Sequence, residues 1–539
     1  MAQVPPTGSP DRIDDRFKTV PVPQAKPDLP IPQLSTVAPP DQALVTQFTL
    51  TSVEVDGSTV FSKSDFAPLY GALIGKKVSL LDLYHVRDAI TAKYRAAGYT
   101  LSQAIIAPQN LDGGNVHIQV VEGYIAQVSF EGDVGSARGL LDATAKKITA
   151  SKPLRQQDLE RYVLLLNDLP GVEAETVLKP SATTPAAADL VIVIKRHAMA
   201  GSLELDNRGS KAIGPVEGSM SVDFNNVLGL NEQTSIMFAT AFPTRTLRYI
   251  ALHHTEVLNA EGLRLSFSAS NSLSKPGGAI AVLDPRGTGT IASLFLTAPV
   301  IRTRAKSLKL EAGFTFQNTR TDLLSALYSR DRVRYATMRA IYDASDNAFG
   351  VPASTLIQIE ASQGLNVFQA SKTGSANLSR ANGRSDFTFV AGEVTRFQNL
   401  APRFSVALSF TGQYAFNSLL SSQQFGLGGR RFGRGYEPSE LTGDNGVGFS
   451  IEPRFDLPLN IPATRVQAYA FYDVGEVWTK APLAGAPAHE SLSSAGAGIR
   501  ARIGAHVSMN FELSKPLTRD IASRGDRSWR PLFSVSTSF

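Results

Sequence analysis

No cysteine occurs anywhere in the 539 residues, which excludes disulfides, thiol nucleophiles and cysteine-ligated metals. Charge is also scarce. Asp, Glu, Lys and Arg make up 19% of the chain, against about 25% in an average soluble protein. The net charge is +5 with no dense Lys/Arg run, so there is no electrostatic footprint for nucleic acid. Long apolar runs are missing too. The stretch Leu190–Ile194 inside Asp189–Lys195 is typical of the longest, far short of the ~18–20 residues a membrane helix needs. Helical spans are excluded, but a membrane β-barrel is not, because alternating strands never build such a run. Met1-Ala-Gln-Val-Pro-Pro6 holds neither a basic n-region nor an apolar h-region, so no secretory leader is read in it.

Catalytic signatures are lacking as well. None of the seven histidines sits in His-Glu-x-x-His, and no Gly-x-Ser-x-Gly elbow occurs. Gly71-Ala-Leu-Ile-Gly75-Lys76-Lys77 is one residue short of a phosphate loop and lacks its Ser/Thr, so it reads as a helix end and turn. His253 and His254 are strand neighbours facing opposite sides, a poor metal pair. No enzyme activity, cofactor or metal is expected.

What the chain does contain falls into three regions. Ten of the thirty-one prolines lie in the first forty residues, the mark of an extended, semi-rigid linker. Within it Ser9-Pro10-Asp11 followed by Arg12–Lys18 has an N-cap, a first-turn proline and an acidic start. A short helix is predicted there, with Asp14 and Asp15 favouring its dipole.

From about residue 46 to 196 a unit of roughly 75 residues is repeated, each copy reading strand–helix–helix–strand–strand. The first copy starts with a strand over Phe48–Val55. A helical stretch Lys63–Ile74 follows, then a helix carrying Leu83, Val86, Ile90 and Tyr94 at helical spacing, then strands Ser102–Ala107 and Val116–Val121. The second has a strand at Ala126–Glu131, helices at Ala137–Ala150 and Arg155–Leu169, and strands at Glu173–Leu178 and Leu190–Lys195.

From about residue 199 alternation replaces helical periodicity, as in Leu263–Phe267, Leu308–Phe316 and Phe404–Phe410. A soluble β-sandwich is one reading. Against it, no domain break interrupts the rest of the chain. Sixteen strands of ~10 residues fit it, with about twelve residues per connection, which favours a membrane barrel. The terminal segment puts Phe533, Val535 and Phe539 on one face, a girdle pattern for a closing strand.

The densest glycine cluster, Phe425–Gly446, reads either as a solvated surface loop or as a tightly folded one aiming Arg434 inward. A guanidinium so placed can hold a carboxylate bidentately. Asp473, amid the apolar strand residues Phe471, Tyr472 and Val474, is a candidate partner.

These segments together resemble the TpsB-type transporters of two-partner secretion, in the POTRA-plus-barrel superfamily, over about residues 46–539. Tyr99, Pro108–Gly113 and Val120–Gly123 resemble the end of the family's first POTRA domain, and Leu159–Gly171 the second helix of its second. Asp206–Gly209 and Asp223–Leu230 resemble its opening barrel strands. Phe432, Gly433, Arg434, Gly435 and Tyr436 match the tip of its inward loop, and Phe471, Asp473 and Gly475 the barrel motif whose aspartate pairs with that arginine. Gly433 stands where the family has an aliphatic residue, which implies a looser tip.

The resemblance implies a mainly β protein. A linker with a short helix (1–45) and two α+β POTRA domains (46–123 and 124–197) precede a 16-stranded antiparallel transmembrane β-barrel (198–539), its inward loop around 423–446. It further implies an outer-membrane translocator, monomeric, with POTRA domains in the periplasm. Those domains would bind a large secreted exoprotein in extended form, through a groove lined by Tyr94, Ser102, Gln103, Ala104 and Ile105. Outer-membrane lipid and the barrel assembly machinery are its other partners, and Phe539 is its C-terminal barrel signal. The N-terminal helix is a candidate pore plug, and a barrel-assembly insertase is the alternative function.

Overall fold

The computed structural model describes residues 9–17, 39, 43, 45–184, 187–242 and 246–539. Most of the proline-rich segment therefore lies outside the described residues. The described residues form two compact units, one within Pro27–Arg196 and one holding the N-terminal helix and nearly all of the chain from His197 onward.

The first unit contains the two repeats. In the first, strand β1 (Gln47–Thr49) precedes β2 (Ser52–Asp56), helix α2 (Lys63–Tyr70), β3 (Lys77–Ser79), helix α3 (Leu80–Ala96), β4 (Gln103–Ile105) and β5 (Asn115–Val121). Helix α1 (Ile13–Phe17) lies upstream of them in the chain. The second has β6 (Tyr124–Gly132), α4 (Arg138–Ala150), α5 (Gln156–Asn167), β7 (Val172–Pro180) and β8 (Ala187–Arg196). The sheets have the same topology: order β2-β5-β4 in one and β6-β8-β7 in the other, each with its outer first strand parallel to the central one.

Equivalent glycines mark the repeat. Gly57 (φ 82°) and Gly132 (φ 85°) end the first strands, where a Cβ would meet the carbonyl oxygens of Val120 and Ile194 at 2.3 and 2.4 Å. Only glycine closes the turn there. Ser79 caps α3 by accepting from the Asp82 N–H, and Asp82 returns the bond to the Ser79 N–H. The buried face of α3, carrying Leu83, Val86, Ile90 and Tyr94, packs on Val116, Ile118 and Val120.

One strand is corrected. The segment read as Phe48–Val55 is broken at the buried Leu50, whose N–H donates to Lys76 O. Residues before the break pair with β3 in a separate two-stranded sheet, and those after it join β5. Alternation persists across the break, so periodicity alone does not register the change of partner.

The second unit is a closed barrel of sixteen strands with antiparallel neighbours. It runs through β9 (Met199–Asp206), β10 (Val216–Asn225), β11 (Glu232–Phe242), β12 (Leu247–Val257) and β13 (Arg264–Ser274). Next come β14 (Arg286–Arg302), β15 (Lys306–Leu323), β16 (Ala326–Asp346), β17 (Ala353–Gly364), β18 (Thr388–Ala401) and β19 (Phe404–Ala415). A short hairpin, β20 (Phe425–Leu427) with β21 (Leu441–Gly443), interrupts the circuit. The wall resumes with β22 (Asn445–Asp456), β23 (Thr464–Trp478), β24 (His489–Ile503), β25 (Val507–Pro516) and β26 (Arg530–Ser538), which pairs with β9.

Period-two alternation sorts the two faces. On β13 Ser266, Ser268, Ser270, Ser272 and Ser274 face the lumen, while Leu265, Phe267 and Leu273 face outward. At the seam Phe539 and Gly201 exchange backbone hydrogen bonds of 3.0 and 2.9 Å, and the Phe539 ring lies over Gly201, where a Cβ would come within 2.5 Å.

Candidate functional site in the barrel lumen

Arg434 is buried at the tip of the segment between β20 and β21. Its Nε donates to Asp473 Oδ2 at 3.1 Å and its Nη2 to Asp473 Oδ1 at 3.0 Å, a bidentate fork reinforced by the Arg434 N–H to Oδ2 at 2.9 Å. Asp473 points inward from β23 opposite Ser450 of β22, whose hydroxyl donates to it at 2.7 Å. The guanidinium lies 3.7 Å from the centroid of the Phe471 ring, a cation–π contact.

Glu452 extends this pair into a network. It accepts from Arg434 Nη1, from Arg454 Nε at 2.7 Å and from Arg500 at 2.7 and 3.0 Å. Desolvating such ions costs several kcal/mol each, which only dense pairing of this kind offsets.

The loop tip is tightly seated, contrary to the looser tip implied by the missing aliphatic. Gly433 has φ 80°, and a Cβ there would stand 2.7 Å from Leu492 Cδ1. In the wall, a Cβ at Gly475 would meet Leu427 Cδ1 at 2.6 Å, so its absence gives the hairpin its seat. Tyr436 is buried and donates to Ser493 O at 3.2 Å. Leu427, Phe432, Tyr436, Leu441, Val477, Leu492 and Ile521 form one apolar cluster around it. Further along the loop Arg430 pairs with Glu204 and Asp206, and Arg431 with Glu393.

A second element occupies the lumen. The segment read as a helix over Asp11–Lys18 is a 3₁₀ turn, Pro10–Arg12, followed by α1; Lys18 lies outside the described residues. Ile13 is fully buried against Ile213, Ala239, Ala241, Leu247 and Tyr249, and Phe17 stacks on Tyr249 at 4.8 Å. Arg16 pairs with Glu217 at 3.0 Å. Asp14, besides its place near the helix start, accepts from Tyr249 Oη at 2.8 Å and Ser270 Oγ at 2.9 Å. Arg12 donates to Gln424 O at 2.5 Å, joining the helix to the base of the inward loop. The cavity beside the helix is lined mainly by serine, glutamine and carboxylate side chains of the wall.

The residues expected to line a groove in the first repeat domain differ in exposure. Tyr94, Ser102 and Ala104 are buried core positions, and Gln103 and Ile105 are half-buried. The Ala104 N–H donates to Thr91 Oγ1 of α3 at 3.0 Å, so the helix already caps the outward edge of β4 at its centre. Tyr94 donates to Glu122 at 2.7 Å. Burial pushes the Glu122 carboxyl up, but hydrogen bonds from Thr59, Tyr94 and the Thr59 and Val60 N–H groups outweigh it and hold the carboxyl below its ordinary range.

Sequence reasoning brought Arg434 and Asp473 together but missed Glu452, Arg454, Arg500 and the wall partners of Arg430 and Arg431. Their one signal was position: charged residues alternating with Ser450 or glycine on strands whose other face is apolar.

A closed barrel whose lumen holds an inward loop pinned by an arginine, after two POTRA domains in the chain, defines an outer-membrane transporter of the POTRA-plus-barrel class. The chain matches the profile of the haemolysin secretion/activation protein family ShlB/FhaC/HecB over residues 188–501 and that of the ShlB-type POTRA domain over residues 48–123. It belongs to that family, the TpsB-type transporters of two-partner secretion.

The heme/hemopexin transporter protein HuxB of Haemophilus influenzae is 23% identical over 481 residues, covering 88% of this chain and 85% of that protein. The outer membrane transporter CdiB of Escherichia coli is 28% identical over 186 residues, covering 34% of this chain and 31% of that protein. Among solved structures, CdiB from Escherichia coli superposes with a TM-score of 0.74 at 21% identity, covering 95% of this chain and 92% of the other. BamA from Haemophilus ducreyi, lacking POTRA domains 1–3, gives 0.53 at 15% identity, covering 92% and 100%. These likenesses to solved structures show the fold.

Proposed function

We propose that this chain carries a large secreted exoprotein, of the TpsA type, across the outer membrane in unfolded form and without ATP. The POTRA domains stand in the periplasm and receive the extended chain. The barrel lumen conducts it once the N-terminal helix and the inward loop have moved aside. The protein acts as a monomer in outer-membrane lipid and reaches it through the barrel assembly machinery. A cargo of the kind named for HuxB suits this reading.

The observation that carries it is the content of the lumen. Two short elements occupy a polar channel, each held to the wall by a few ion pairs and hydrogen bonds beside one small apolar cluster. Such contacts break one at a time, so the channel can be cleared without unfolding the barrel. Backbone hydrogen bonding along a POTRA sheet edge supplies sequence-tolerant affinity for an extended chain. With Tyr94, Ser102 and Ala104 buried, Gln103 and Ile105 are the groove residues left to touch cargo.

The test compares secreted and outer-membrane proteomes with and without the protein. Loss of one or two large secreted proteins, with other barrels unchanged, is the expected outcome. A broad fall in unrelated barrels would instead make the chain an insertase, the function open to a superfamily that includes BamA.

A further inference from the structure

The chain enters the barrel at Met199, and that end is taken as periplasmic, as the proposed function has it; the far ends of the strands then lie outside. The longest hairpin, β15–β16, has strands of 18 and 21 residues and turns at Leu324-Ser325, both at positive φ. Its lower outer face is apolar, with Leu310, Phe316 and Met338 exposed. Immediately above, the same face of β16 presents Arg334, Arg332 and Arg330 at every second position. Their cross-strand neighbours on β15 are Phe316, Asn318 and Arg320.

This ladder is poorly compensated. Arg320 is neutralised by Asp322 at 2.7 Å, yet it stands directly opposite Arg330. Like charges in that position are destabilising. Asp322 also acts electrostatically on Arg330, so it is shared between the two opposed arginines, and among the described residues no direct ion pair is formed by Arg330, Arg332 or Arg334. Arg334 is buried, bonded to Gln317 O and Asn318 Oδ1 and placed over the Phe316 ring at 5.0 Å. Arg332 reaches only Gln369 at 3.2 Å. The loop after β17 adds the exposed Lys372, next to Ser371, whose N–H donates to Arg332 O.

We propose that this ladder binds the phosphate groups of a phosphorylated glycolipid in the outer leaflet. An anion relieves the Arg320–Arg330 opposition, and guanidinium forks match phosphate oxygens bidentately. Arg330 and Arg332, two positions apart, stand about 7 Å from each other along the strand at ~3.4 Å per residue, and the exposed Lys372 of the neighbouring loop adds a third cation for a phosphorylated headgroup. The position selects a lipid over a soluble anion. The ladder begins where the apolar belt ends, so acyl chains lie against Phe316 and Met338 while the headgroup meets the arginines.

The test titrates the purified full-length protein in neutral detergent with bisphosphorylated lipid A and with its dephosphorylated form, read by native mass spectrometry. Tighter binding of the phosphorylated form is expected, weakened about tenfold in R330Q/R332Q/K372Q, which leaves the buried Arg334 in place. The single variant R330Q removes the like-charge pair, so it weakens lipid binding while keeping full heat-modifiable mobility.

Equal binding of the two lipids, or no loss in either variant, would overturn the proposal. Displacement of the lipid by excess inorganic phosphate would reassign the ladder to a free anion. The chain lacks cysteine, so Leu324→Cys reports orientation by labelling of intact cells with an impermeant maleimide. An unreactive tip would overturn the orientation and with it the outer-leaflet occupant. A reactive tip with indifferent lipid binding would sink this inference alone.

Discussion

Arg434 joins the inward loop to the barrel wall, because one guanidinium satisfies carboxylates on two adjacent strands, Asp473 on β23 and Glu452 on β22. Truncating it leaves the buried Asp473 without a counter-charge, while Glu452 keeps Arg454 and Arg500; truncating Asp473 leaves Arg434 with Glu452. Arg434→Ala is expected to reduce secretion at least as much as Asp473→Ala. The double variant should be no worse than the worse single one, a coupling of about 1–3 kcal/mol if read as free energy. Additive losses in a secretion assay, with heat-modifiable mobility retained, would show the two acting independently. The pair was legible in sequence because a glycine-flanked arginine and an aspartate amid apolar strand residues each need a partner. Glu452 was not, since a glutamate on an alternating strand reads as an ordinary solvated face until the barrel closes and turns that face inward.

Helix α1 has two turns at most, too short to be stable alone in water. It is ordered by the wall: Ile13 in its apolar pocket, Arg16 on Glu217, Asp14 between Tyr249 and Ser270. Deleting residues 1–20 should therefore raise single-channel conductance in planar bilayers, and Arg16→Ala should give part of that rise by removing one tether. Unchanged conductance in the deletion would mean the helix does not limit the pore. The elements themselves were largely readable. Helical spacing and a terminal glycine located the long helix of the first repeat, and alternation marked several of the barrel strands without their boundaries. The break at Leu50 was not, because the residues on either side are equally good strand formers and only the partners differ.

A barrel is one cooperative ring, so its weakest closure bears on the whole. Strands β26 and β9 share five paired positions, from Ser534–Asp206 to Ser538–Ser202, against ten between β9's other neighbour β10 and β11. Phe539 adds to that short seam, with its backbone bonded to Gly201 and its ring laid over the same glycine. Phe539→Ala is expected to lower the amount of folded, heat-modifiable barrel severalfold. An unchanged yield would show that the shared ladder alone closes the ring.

Local chemistry settled much of this protein in advance. Alternation with small and polar residues on one face, the absence of long apolar runs, and a strand–helix–helix–strand–strand order repeated twice leave little besides a barrel behind two α+β domains. Those features depend on neighbours a few residues apart, which a linear reading can see. Which side of each strand becomes lumen, which arginine meets which carboxylate, and whether Tyr94, Ser102 and Ala104 face cargo or core depend on contacts between residues far apart in the chain. Closure of the ring makes those contacts: it buries Asp473 beneath Arg434 and draws Arg430, more than 200 positions downstream, onto Asp206.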